Sequence, residues 1–180
     1  MINRCAIYFM LGGLLFPLNA LRAQILTFDH GQIEFYTASI LSDIEAVSNT
    51  AEVKLDVPTG NIEVTINVKS FNFEYDLMKA HFNEKYLESD KYPQAIFKGK
   101  IAQDLSKNFT EMEVDAVGEL TIHGVTRAIK ATAQISKNGD YTIIKSKIPV
   151  VFKDYNVDDP SILTKSVAKD VEIKSTLYLK

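Results

Sequence analysis

From Ile25 onward, apolar and polar residues alternate with a period of two rather than 3.6, the pattern of half-buried strands. Ile33 and Phe35 alternate with Gln32, Glu34 and Tyr36. Val53, Leu55 and Val57 do so with Glu52, Lys54 and Asp56, and Ile62, Val64, Ile66 and Val68 with Glu63, Thr65, Asn67 and Lys69. Later come Met112, Val114, Ala116, Gly118, Leu120 and Ile122, then Ile129, Ala131, Ala133 and Ile135. Val171, Ile173, Ser175, Leu177 and Leu179 form the last run. Pro58-Thr59-Gly60-Asn61 reads as a turn. Asn138-Gly139-Asp140 reads as a hairpin loop, where Asn-Gly predicts a type I′ turn.

The periodicity predicts strands near 32–37, 44–48, 52–57, 61–69, 95–102, 111–122, 128–137, 141–149 and 170–179. No helices lie between them to make parallel crossovers, so the sheet is expected to be antiparallel. A sheet this long curls or splits, and closure removes its exposed edges. The expected fold is therefore all-β, eight or nine antiparallel strands closed into a barrel in preference to a two-sheet sandwich. One segment departs from the pattern. Leu77, Met78, His81 and Phe82 fall on one stripe of a helical insertion near 76–83, and Tyr86, Leu87, Tyr92 and Pro93 continue it as an apolar loop. Such an insertion suits a plug or lid at a barrel end.

The first 23 residues are of another kind. Arg4 precedes an apolar run from Cys5 to Leu18, and a small residue, Ala23, ends the segment, as in a secretory signal peptide. The run is shorter than the roughly 20 residues a membrane span requires. The expected division is a signal peptide over 1–23 and one barrel domain over 24–180, periplasmic or secreted, with no stable membrane span. Cleavage would remove Arg4, Arg22 and no acid, taking the net charge from −3 to −5. It would also remove Cys5, the only cysteine, leaving neither a disulfide nor a thiol nucleophile. Acidity argues against nucleic acid as a partner, because backbone phosphates require clustered Lys and Arg. The oligomeric state stays open, a dimer included.

Catalytic chemistry finds no pattern here. His30, His81 and His123 lie far apart without ligand spacing, so no metal site and no required cofactor is expected. No G-x-S-x-G elbow marks a nucleophile. Asp154, Asp158 and Asp159 read as turn caps beside Pro160. The informative feature is size. The apolar faces narrow to Ala116-x-Gly118, Ala131-x-Ala133 and Ser175. Barrels of about eight strands either fill their interior or hold one ligand. Two readings stay open: small residues leave a lumen, or Phe35, Phe71, Phe73 or Phe97 fills it from the opposite wall. The lumen candidates are Phe71, Phe73, Phe97, Gly118, Leu120, Ala131, Ala133 and Ser175.

Two stretches add more. Met78-Lys79-Ala80-His81-Phe82, running through Leu87-Glu88-Ser89-Asp90-Lys91-Tyr92-Pro93 to Phe97-Lys98-Gly99, resembles the signature of the YceI-like lipid/polyisoprenoid-binding family. Gly118-Glu119-Leu120-Thr121-Ile122-His123-Gly124-Val125-Thr126 resembles its second signature, and the likeness covers roughly Ile62 to the C-terminus. The resemblance implies an extended antiparallel eight-stranded lipocalin-like barrel, exported in bacteria, that holds a long isoprenoid or fatty chain in its lumen and has no enzymatic activity. Met78, His81, Phe82, Tyr92, Pro93, His123 and Gly124 are read as structural. The two histidines would hold the plug and a β-turn by hydrogen bonds, and Tyr92-Pro93 would form a rigid loop. The expected function is binding, carriage or storage of an apolar long-chain ligand. Its rivals are a solid-cored structural or protein-interaction module, and a small hydrolase or isomerase with a histidine base.

Overall fold

In a computed structural model of the chain, residues 24–37, 44–157 and 170–180 are described. The segment read as a signal peptide, and Asp158, Asp159 and Pro160, lie outside them. Strands β1 (Ile25–Thr37), β3 (Glu52–Asp56), β4 (Asn61–Asn67), β6 (Gln94–Ile101), β7 (Glu111–Ile122), β8 (Val125–Asn138), β9 (Tyr141–Val151) and β10 (Asp170–Leu179) form a ring. Each pairs antiparallel with its neighbours in the order β10-β9-β8-β7-β6-β4-β3-β1, and β1 returns to β10. The barrel is closed and eight-stranded.

Two short strands branch from it. β2 (Ile44–Ser48) pairs with the second half of β1, and β5 (Asn72–Phe73) pairs with β2. Both β2 and β3 lie on β1 in a single register, so they are one strand interrupted at 49–51. A hydrogen bond of 2.7 Å between the Ser48 and Ser70 hydroxyls ties the interruption to the turn after β4.

The alternation extends further than expected at β1, which begins at Ile25, and less far at β4, which stops at Asn67. There the Asn67 side chain accepts from the Lys69 amide (2.9 Å), and the Ser70 hydroxyl donates to the Asn67 carbonyl (2.6 Å). These local bonds compete with the ladder and turn the chain into a 3₁₀ segment, Val68–Ser70. The helical insertion is present as α1 (Asp76–His81), which runs directly into a π-turn over Phe82–Tyr86.

The type I′ turn falls elsewhere. Asn138 still pairs with Tyr141, so the loop is Gly139-Asp140, and only Gly139 has positive φ (59°). That is the sign pattern of a type II′ turn. His123 and Gly124, between β7 and β8, have φ of 51° and 73°, the double positive φ of type I′.

The barrel ends differ. At one end Leu55, Leu105, Ile135 and Leu179 are buried together, and Thr27 and Lys180 exchange two backbone hydrogen bonds. Core side chains fill most of this end, leaving a cavity of about 30 Å³ beside Leu55 and Leu105. The other end carries α1, the π-turn and the His123-Gly124 hairpin. Among the described residues, the β8–β9 ladder stops at Ala133↔Ser146, so Val125–Thr132 and Lys147–Val151 diverge as a fork. Pro149, which has no N–H to give a ladder, sits on the diverging edge of β9.

A candidate lipid-binding lumen

Small residues on facing strands make the interior. Ala116 lies opposite Ala131, Val114 opposite Ala133, Ala133 opposite Ser146, Ser146 opposite Ser175, and Ser175 opposite Ile33. The alanines and serines of this girdle lie on four neighbouring strands, β7 to β10, with side chains too short to meet in the middle. They leave a cavity of about 110 Å³; among the described residues twenty line it, and of these Ser146 and Ser175 are polar. An engineered cavity of about 150 Å³ takes one benzene ring, so the void itself accepts a short apolar segment. Anything longer must emerge from it. The cavity is not sealed: its half-exposed lining includes Ile66, Ala95, Ile148 and Ile173, all toward the end that carries α1 and the fork.

Five of the expected lumen residues line this cavity: Phe97, Leu120, Ala131, Ala133 and Ser175. Three do not. Phe71 and Phe73 follow the 3₁₀ turn that ends β4, which takes them out of the barrel wall. Their rings lie 6.0 and 4.9 Å from that of Phe82, which also meets Phe35 at 5.3 Å. Phe152 completes this aromatic plug against Phe35 at 5.7 Å.

Gly118 is the third. It has the inward parity but pairs with Gly99 on β6, and a Cβ there would stand 2.2 Å from the Lys98 carbonyl oxygen. Gly118 is small because two strands approach closely, not because the lumen needs room.

Sequence reasoning missed Ser146, Ile144 and Ile148. Their parity was readable, because Lys145 and Lys147 mark the opposite face of β9 as wet.

The signature residues cluster at the plug end. The His123 ring places Nε2 2.9 Å from a Glu88 carboxylate oxygen and Nδ1 3.3 Å from the Tyr155 carbonyl. Tyr92 meets that ring edge-on at 4.5 Å, and its own ring leaves no room for a Cβ on Gly124, which would fall 2.5 Å away. The Pro93 carbonyl accepts from the Val68 amide at 2.9 Å. Phe82 is buried in the plug and Met78 is half-buried on α1. His81 departs from expectation, making no side-chain hydrogen bond among the described residues. The two sequence signatures are thus one structural unit: Glu88 and Tyr92 from the first clasp His123 and Gly124 from the second, while Gly99 faces Gly118.

A YceI-like domain model matches residues 23–179. The chain belongs to the YceI-like family. The match begins well before Ile62, so the first strands are part of the family domain as well. The YceI-like barrel superposes on a polyisoprenoid-binding domain from Saccharophagus degradans with a TM-score of 0.75 at 14% identity, covering 88% of this chain and 99% of that one. BcnA from Burkholderia cenocepacia gives 0.69 at 24% identity, with 82% and 95% covered. A Campylobacter jejuni YceI protein gives 0.54 at 17% identity over 99% of both chains. No curated protein is significantly similar to the chain. At these identities the likeness to solved structures is one of fold.

Proposed function

We propose that this YceI-like barrel is a binding protein, not an enzyme, and that it holds an apolar chain in its lumen. The observation that carries the reading is the cavity, with eighteen apolar residues and two serines among the described residues around an unsealed void. Each buried CH₂ contributes about 0.8 kcal/mol, so a chain gains affinity along its length without polar recognition. That physics favours a fatty or isoprenoid ligand, and the domain from Saccharophagus degradans is described as polyisoprenoid-binding. Because the void is short, the remainder of a long chain would leave through the half-exposed end beside the fork. The apolar run before Ala23 supports export, which would make the protein a carrier or store in the periplasm or outside the cell.

The test is organic extraction and mass spectrometry of protein purified from its native cells without detergent. The reading expects a long-chain apolar compound at near-equimolar amount. Recovery of none, from protein that also takes up no long-chain compound in vitro, would instead favour a barrel acting as a structural or protein-interaction module.

A further inference from the structure

The two serines are out of place in a wall built of Ile, Val, Leu, Ala and Phe. Along β10 and β9 the inward pairs run Ile173↔Ile148, Ser175↔Ser146 and Leu177↔Ile144. The serine layer therefore stands about 7 Å inward of the half-exposed isoleucine pair, two residues along the strand. It also lies where the β8–β9 ladder ends, at Ala133↔Ser146, at the base of the fork. The two hydroxyl oxygens are 2.7 Å apart, and neither has another partner among the described residues.

A hydroxyl has one proton to donate and two lone pairs. When one serine donates to the other, the second proton has no acceptor within the wall. Among the described residues, no charged side chain lines the cavity to balance an ionised group. A carboxylate or phosphate drawn in to the serines would lose its water without a counter-charge, which is far costlier than burying a neutral polar atom. A neutral acceptor carries no such penalty.

We infer that the Ser146–Ser175 pair is a polar subsite of the lumen that donates a hydrogen bond to a neutral carbonyl-type oxygen on an otherwise apolar chain. The inference rests on the lumen reading and narrows it, from any greasy chain to one bearing a ketone, ester, amide or aldehyde oxygen. Charged head groups stay outside the barrel. The hydroxyl pair thereby sets how far a ligand slides in, which a uniform apolar wall cannot do.

Two probes of equal length, dodecane and 2-dodecanone, separate the possibilities. Their affinities are measured for the parent and for the double variant Ser146→Ala, Ser175→Ala, by competition with a fluorescent long-chain reporter. The inference expects the variant to bind 2-dodecanone about five-fold more weakly, the effect of one hydrogen bond, with dodecane bound at least as well as before. Unchanged affinity for 2-dodecanone, or an equal loss for both probes, would overturn the subsite and leave the lumen reading standing. Failure of the parent to bind either probe or the reporter would overturn both.

Discussion

A methyl group on Gly118 would stand 2.2 Å from the Lys98 carbonyl oxygen and 2.4 Å from the Gly99 Cα, both backbone atoms that can yield only by spreading β6 from β7. Gly118→Ala is therefore expected to lower unfolding free energy by about 1–3 kcal/mol in urea titration, the range for overpacking. A glycine that merely left lumen space would accept the methyl without loss. Asp29 acts at the same scale in electrostatics. The Lys180 ammonium, and after it the His30 ring, hold its carboxyl at about 2, down from an ordinary 3.8. The folded state thus favours the ionised form. Its stabilisation is present above about 3.8, declines as pH falls from there, and is lost on passing below about 2. Melting temperatures of the parent and Asp29→Asn should accordingly differ at pH 6 and converge as pH approaches 2. A constant difference across that range would contradict the role of the charge.

Among the elements, the two tight hairpins allow a controlled comparison. Gly139 has open space where a Cβ would go, so Gly139→Ala pays only for positive φ, about 1 kcal/mol. Gly124 shares the positive φ but lies under the Tyr92 ring. Gly124→Ala should cost more by the price of displacing that ring, and the excess should vanish in a Tyr92→Ala background. Equal costs in both backgrounds would show that Tyr92 does not clamp the hairpin. The strands themselves were legible because a wet outer face and an apolar inner face leave parity in the chain. The 3₁₀ turn after β4 was not, since Val68 keeps the parity that Asn67 and Ser70 break by hydrogen bonding. Phe71 and Phe73 were consequently assigned to the wall rather than to the plug. Parity also could not separate Gly118 from Ala131: both face inward, and only the distance between paired backbones tells strand approach from open lumen. The fork had a partial signal in Pro149, whose missing N–H weakens a ladder without saying which one.

For the whole molecule, export and ligand capture are the claims to test. If residues 1–23 are a signal peptide, N-terminal sequencing of protein from the cell envelope should begin at Gln24, or at Leu21 after an earlier cut. Protein recovered with Met1 intact in the cytoplasm would contradict export. The central claim, an open lumen that takes a chain, is tested most directly by uptake of a fluorescent farnesyl probe in the parent, Ala131→Phe and Thr132→Phe. Ala131 lines the cavity, whereas Thr132 faces outward, its hydroxyl 3.2 Å from the Asp115 carboxylate. An open lumen predicts probe uptake by the parent and by Thr132→Phe. It predicts loss of uptake in Ala131→Phe at near-parental stability, because the added ring enters a void of about 110 Å³. No uptake by the parent, together with an Ala131→Phe variant destabilised by about 1–3 kcal/mol, would mean that the barrel is packed solid and would contradict the account.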